Sequence, residues 1–148
     1  MFGLYEIVFQ STWGFPILEV LHVIGITLWV GSIALLDLRL VGLRKTTPMY
    51  KYHLVPWAYW GAVLTILTGL IFVIGNPVYL SNPAFWAKVV LIVAAAIVSY
   101  VFHTRFLDTA PPLQEGQAAP PQARFAGAAS LVIWLGVLIA ARMIPYVD

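Results

Sequence analysis

Four apolar stretches, each long enough to cross the hydrocarbon core of a bilayer, constrain what this chain can fold into. They run from about Phe15 to Leu36, Leu54 to Gly75, Ala84 to Leu107 and Phe125 to Ile144. A backbone in lipid has to satisfy its hydrogen bonds internally, so runs this continuous can span a membrane only as helices. The sequence therefore predicts an all-α fold, an integral membrane four-helix bundle, made of one domain over residues 1–148.

The composition excludes a water-soluble fold and several kinds of chemistry. Hydrophobic residues make up 61% of the 148 positions and charged residues 9%, whereas soluble proteins contain about 45–50% and about 25%. A net charge of +2 is too small to attract nucleic acid by its field. The chain has no cysteine, which excludes disulfides, thiolate zinc sites and iron–sulfur clusters.

Basic residues at the ends of the apolar stretches predict the orientation. They lie around the connections after the first and third stretches, whereas the N-terminal segment and residues 76–83 hold none. The positive-inside rule then puts both termini outside. No signal-peptide pattern precedes the first helix, so that helix is expected to direct its own insertion into the membrane. The Pro-rich stretch 108–122 is predicted to be an extended linker.

One group of ionisable residues falls at the predicted outer level of the bilayer. Each such residue costs about 2.5–3.5 kcal/mol inside a spanning helix, so each needs a reason. Glu19 and His22 are one turn apart on helix one, Lys88 is near the start of helix three and Arg142 near the end of helix four. In the simplest interpretation, the two cations reach the headgroups and Glu19 pairs with one of them. An imidazole is too short to do the same.

A second group falls at the inner level: Asp37, Arg39, His53, His103 and Arg105. A solvated surface explains Asp37 and the two arginines as well as a site does, and His53 can be one more polar residue before a helix. His103 differs, because it shares one face of helix three with Lys88, Ile92, Ala95 and Ser99. That face is expected to point into the bundle or at a partner.

Small residues lie close to His22 on helix one and on the other helices. They permit two interpretations: close helix packing, or room for a flat macrocycle beside the imidazole. The residues are Gly25 and Ser32 on helix one, Gly61, Thr65, Thr68 and Gly69 on helix two, and Ala128 and Gly136 on helix four.

Haem is the cofactor that best fits isolated membrane histidines in a chain without cysteine. Its iron needs only one or two axial ligands. We expect His22 and His103 to be ligands of haem b, with one or two haems per chain. Cations at the same levels can pair with haem propionates, Lys88 and Arg142 on the outer side and Arg39 or Arg105 on the inner side.

The two histidines cannot share one iron, because they are separated by roughly 17 Å in depth. Either there are two haems, one toward each surface, or one histidine has another role. An inner haem could take His53 as its second ligand. An outer haem would have an open sixth position, or one filled by Lys88 or by another subunit.

The motif Glu19-Val20-Leu21-His22-Val23-Ile24-Gly25 resembles a bacterial family of four-helix membrane proteins of unknown function. The resemblance continues through Trp29-Val30-Gly31, Pro56-Trp57, Asn82-Pro83-Ala84-Phe85 and Trp134-Leu135-Gly136, and so covers nearly the whole chain. It implies the four-helix fold and no particular activity.

The Leu-His-Val-Ile-Gly run at His22, followed by Trp29 and Gly31 and combined with Lys88, is also similar to bacterial membrane protoporphyrinogen oxidases. That resemblance implies an association with haem and functional roles for His22 and Lys88. Copper-resistance D-type membrane proteins share part of the pattern, but three methionines and no cysteine give copper little to bind.

The function expected from the sequence is that of a b-type cytochrome-like membrane protein that passes electrons within or across the bilayer. A quinone or a redox protein is the expected partner, and the small-residue faces favour a homo-oligomer. One alternative is a porphyrin-oxidising enzyme that uses His22 and Lys88. Another is a passive membrane subunit or a transporter with a proton or anion site formed by Glu19, His22, Lys88 and Arg142.

Overall fold

The computed structural model describes residues 2–42, 49–102 and 118–147, and the described chain is helical apart from short connections. A short helix α1 (Phe2–Tyr5) continues as one π-helical turn (Glu6–Gln10). The long helices are α2 (Gly14–Val41), α3 (Met49–Gly75), α4 (Pro83–Phe102) and α5 (Pro121–Met143). Within the described ranges these four are long and apolar enough to span a membrane, which confirms the predicted all-α membrane fold.

Helix α2 continues well past the predicted end at Leu36. It ends at Val41, where Gly42 adopts the left-handed conformation with φ of 94° and donates its N–H back to Arg39 and Leu38 carbonyls. Asp37 and Arg39 interrupt the apolar stretch without ending the helix, because a glycine able to adopt positive φ is what terminates it.

Helices α3 and α5 begin earlier than predicted. Helix α3 begins at Met49 instead of Leu54 and contains Pro56. Helix α5 begins with Pro121 in its first turn, where proline loses no helical hydrogen bond, so the end of the predicted linker is helical. The predicted end of the third helix, Leu107, lies outside the described residues.

The helices pack in the order α3, α2, α5, α4. Helix α2 packs against both α3 and α5, and α5 packs against α4, whereas α3 and α4 make little or no contact with each other. At the centre, Trp134 is buried with Ala95 and Val137, and its ring meets that of Trp29 edge to face at 5.1 Å. Many large apolar side chains of all four long helices are exposed, as expected for surfaces that face lipid.

Glycines bring α2 and α3 into close contact. A Cβ added to Gly25 would lie 2.6 Å from Thr65 Oγ1 and 2.9 Å from its nitrogen, and one added to Gly61 would lie 2.8 Å from the Gly25 carbonyl and overlap the Trp29 backbone. At Gly25 and Gly61, close packing is therefore the interpretation that the structure supports. Gly25 leaves no open space for a macrocycle.

The two ends of the bundle are closed differently. We call the end with Gly14, Gly75, Pro83 and Met143 the terminal end, and the opposite end the linker end. At the terminal end, Asn82 Oδ1 accepts from the N–H groups of Ala84 and Phe85 at 2.9 and 3.3 Å and thereby caps α4. Its Nδ2 donates to the carbonyls of Ile144 at 2.9 Å and Val147 at 2.5 Å, so this one side chain joins α4 to the end of α5.

We predict that Gly61→Ala destabilises the protein by about 1–3 kcal/mol, because the added methyl group forces α2 and α3 apart. Thermal unfolding in detergent, followed by circular dichroism, measures the effect. The control is Gly31→Ala, whose added Cβ meets nothing within 4 Å. Equal unfolding temperatures for the two variants would contradict the close contact.

Candidate functional site

His22 is held against α3 by one hydrogen bond and one ring contact. Its Nδ1 lies 2.7 Å from Thr68 Oγ1, and its ring meets that of Phe72 edge to face at 5.4 Å. The Thr65 backbone is a further hydrogen-bonding partner. The half-buried imidazole therefore has its ring orientation fixed by a neighbouring helix.

The hydrogen bonds of Thr68 determine which nitrogen of His22 carries the proton. The Thr68 oxygen lies 2.7 Å from the Leu64 carbonyl and 3.1 Å from the Thr65 carbonyl, so its single hydrogen is donated to the α3 backbone. The same oxygen must then accept from His22, which requires a hydrogen on Nδ1. In the neutral imidazole the lone pair then lies on Nε2. A nitrogen in this state can bind a metal or accept a proton.

Lys88 is half-buried on α4, and its charge acts electrostatically on the imidazole of His22. The two residues come from helices that are not neighbours in the packing order. An imidazole within the electrostatic influence of a cation is an arrangement suited to a ligand that carries carboxylates.

The other two residues of the predicted outer group do not join this pair. Glu19 is exposed, and the described residues give its carboxylate no hydrogen bond or ion pair. Arg142 is exposed as well, donates to the Tyr146 hydroxyl at 3.2 Å and lies 5.4 Å from the centre of that ring. The expected ion pair between Glu19 and a cation is therefore absent from the described part of the chain, and Arg142 reaches toward the C-terminal turn.

Asp37 is buried, so of the two interpretations given for it in the predicted inner group the solvated surface does not apply. Only 6% of it is exposed, because α2 continues beyond it and packs against α5. Arg39 is half-buried with an interaction of its own, and His53 is exposed at the linker end. His103 and Arg105 lie outside the described residues.

The predicted inward face of α4 has the expected burial as far as it is described. Ala95 is fully buried, and Lys88, Ile92 and Ser99 are half-buried on the same face. The α4 face therefore turns toward the bundle at every described position, with the amine of Lys88 near the terminal end and the hydroxyl of Ser99 near the linker end.

Thr68 and Phe72 are site residues that the sequence analysis missed. Thr68 was interpreted as one of the small residues that permit close packing or leave room for a macrocycle, and Phe72 as part of an apolar run. A signal was present, because Thr68 precedes the end of its stretch at Gly75 by seven residues and His22 follows the start of its stretch at Phe15 by seven. In antiparallel neighbours these positions lie at the same depth.

Comparison with protein families gives one match. A family described as "Predicted membrane protein (DUF2214)" matches residues 16–146, a range that includes all four long helices. Neither curated proteins nor solved structures give a match.

We predict that the neutral form of His22 carries its hydrogen on Nδ1, because the Thr68 oxygen accepts from that nitrogen. Nitrogen NMR of histidine-labelled protein distinguishes the two tautomers, with His22→Ala used to assign the signal. Thr68→Val removes the acceptor and is expected to shift that signal, whereas Thr68→Ser keeps a hydroxyl and should preserve it. A hydrogen on Nε2 in the wild type would refute the assignment.

Proposed function

We propose a function for this chain from its own site, because the chain belongs to the DUF2214 family of predicted membrane proteins and that description names no activity. The proposed function is that of a b-type cytochrome-like protein. It holds haem through His22 and passes electrons within or across the bacterial inner membrane, with a quinone or a redox protein as its partner.

The observation that carries the proposal is the hydrogen bond between Nδ1 of His22 and Thr68, which in the neutral imidazole leaves the lone pair on Nε2. Histidines that bind metals through one nitrogen almost always donate the other N–H to an oxygen, which fixes the ring and raises the basicity of the ligand. Thr68 supplies that oxygen, and Phe72 restricts the ring plane. Few arrangements besides ligation use both features of an imidazole at membrane depth.

The surroundings of His22 support a flat, negatively substituted ligand. Lys88 would hold a propionate carboxylate or occupy the sixth position of the iron. The described parts of α3 and α4 make little or no contact with each other, so this side of the bundle is not closed by a pair of packed helices. When bound, haem supplies one-electron chemistry, with a potential set by the axial ligands and the low polarity nearby.

The second haem site stays a prediction. It would use His103, with His53 as the other ligand and Arg39 at the propionates, at the linker end. A homo-oligomer in which a second copy supplies the sixth ligand to the haem at His22 is the other arrangement that the proposal allows.

We expect His22→Ala to abolish haem binding at the terminal end, since the iron loses its protein ligand. Thr68→Val should weaken haem binding by about 10–100-fold through the loss of the orienting hydrogen bond. Haem per chain, measured on protein purified from haem-replete cells, and titration of the haem-free form with haem report the two effects.

Matched variants separate loss of the ligand from general damage. Thr27→Val removes an exposed hydroxyl that bonds to its own helix and should leave haem affinity unchanged. His103→Ala distinguishes one site from two, because in a two-haem protein it lowers the haem per chain by half. Colourless wild-type protein from such cells would overturn the proposal.

A porphyrin-oxidising enzyme is the second candidate. It is favoured by the electrostatic effect of Lys88 on His22. In such an enzyme the Lys88 amine would bind or exchange a proton with a porphyrinogen while His22 anchors the tetrapyrrole. We predict that Lys88→Met would then lower the rate of porphyrinogen oxidation by at least about 100-fold. Membranes without oxidase activity above background would exclude this candidate and leave the cytochrome proposal intact.

A further inference from the structure

Asp37 is a carboxyl group buried between two spanning helices without its full set of hydrogen bonds. It lies on α2, only 6% exposed, and faces Ser130 on α5, which is 3% exposed. Yet Oδ2 of Asp37 and Oγ of Ser130 each lack a hydrogen-bond partner. The two side chains therefore approach each other without closing a bond of normal geometry.

Two more unpartnered polar groups lie on the neighbouring turns of α5 and α4. Trp134, one turn after Ser130 on α5, is 2% exposed and its Nε1 has no partner. Ser99 on α4, whose Oγ also lacks a partner, lies one turn from Ala95, which packs with Trp134. Because α4 and α5 run in opposite directions, Ser99 and Ser130 come to the same level. Among the described residues, four unsatisfied polar atoms therefore lie on α2, α4 and α5 within about one turn of this level.

Burying these polar groups without hydrogen-bond partners would lower the stability of the fold. Each buried donor or acceptor without a partner costs about 1–3 kcal/mol, and a charged one costs more. A water molecule that makes two to four hydrogen bonds is the usual remedy in a polar site of this kind. A proton on the carboxyl removes its charge and adds a donor.

A bound metal cation is a poorer remedy. Hard cations such as Mg²⁺ and Ca²⁺ take about six or more oxygens, while the side chains here offer the two of Asp37 and one from each serine. The backbone carbonyls nearby are used within α2 and α5, which run without interruption through this level. The chemistry therefore favours protons and water.

We propose that Asp37 and Ser130, with Ser99 at the same level of α4, form a buried proton-binding site completed by bound water. A proton from the aqueous phase at the linker end binds to Oδ2 of Asp37 and converts the carboxylate into a neutral acid, whose O–H then donates to water or to Ser130. Release reverses both changes. The site lies at the opposite end from His22 and does not depend on haem.

The charged and titratable neighbours of Asp37 are few among the described residues. On α5, Gly127 lies close to the backbone carbonyl of Asp37 and Ser130 faces its carboxyl group. Arg124 on the same helix is exposed. Arg39 follows two residues later on α2, on a different face, and His53 on α3 is exposed. On α4, the polar residue at the same level as Asp37 is Ser99, which carries no charge.

Infrared spectroscopy of the wild-type protein in detergent or vesicles tests the site directly. Protein labelled with carbon-13 at the aspartate carboxyls contains only Asp37, Asp108 and Asp148 as labelled groups. Between about pH 5.5, where ordinary aspartates are already ionised, and about pH 9 we expect an aspartic acid C=O band that disappears as the pH rises. The band should be missing in Asp37→Asn and shifted in Ser130→Ala.

Controls and the remaining outcomes decide the proposal. Glu19→Gln, which removes an exposed carboxyl at the terminal end, should leave the band unchanged. A titrating band that persists in Asp37→Asn overturns the proposal, as does a wild-type spectrum with no such band or with one that never titrates. The wild-type titration needs no variant, so a poorly folded Asp37→Asn protein does not prevent the test.

Discussion

The close contact of α2 and α3 is the constraint on which the His22 site depends. Gly25 and Gly61 allow the two backbones to approach to a distance that any side chain at these positions would prevent. This close contact fixes how α3 lies along α2, and so places Thr68 and Phe72 beside the imidazole of His22, one turn from Gly25. The packing of two glycines therefore determines which nitrogen of His22 is hydrogen-bonded to α3.

The ionisable side chains buried or half-buried in the described bundle lie toward its two ends. Near the terminal end are His22 and Lys88, and near the linker end are Asp37 and Arg39. Between them, Trp29 and Trp134 meet within the central cluster. Because burying unpaired polar groups in lipid is costly, the groups at each end need hydrogen bonds of their own.

The sequence predicted the helices better than their ends, and residue types better than their partners. Long apolar runs identify spans directly, but they left open whether Asp37 lies at a solvated surface or in a site, because the apolar run stops before Asp37 whereas the helix ends at Gly42. Glycines near His22 could mean packing or a cofactor, and only the positions on α3 opposite them decide between the two. Thr68 was missed because a hydroxyl that bonds to its own helix looks the same in sequence as one that also serves a neighbour.

The packing order α3, α2, α5, α4 places the residues around His22 on two helix pairs, α2 with α3 and α4 with α5. The imidazole and its anchor belong to the same helix pair, so a displacement of α4 and α5 as a unit leaves the hydrogen bond between them intact. Lys88 belongs to the other pair, because it lies on α4. A small tilt between the pairs would therefore change the electric field that Lys88 exerts on the imidazole, whereas the hydrogen bond to Thr68 would keep the ring in its orientation.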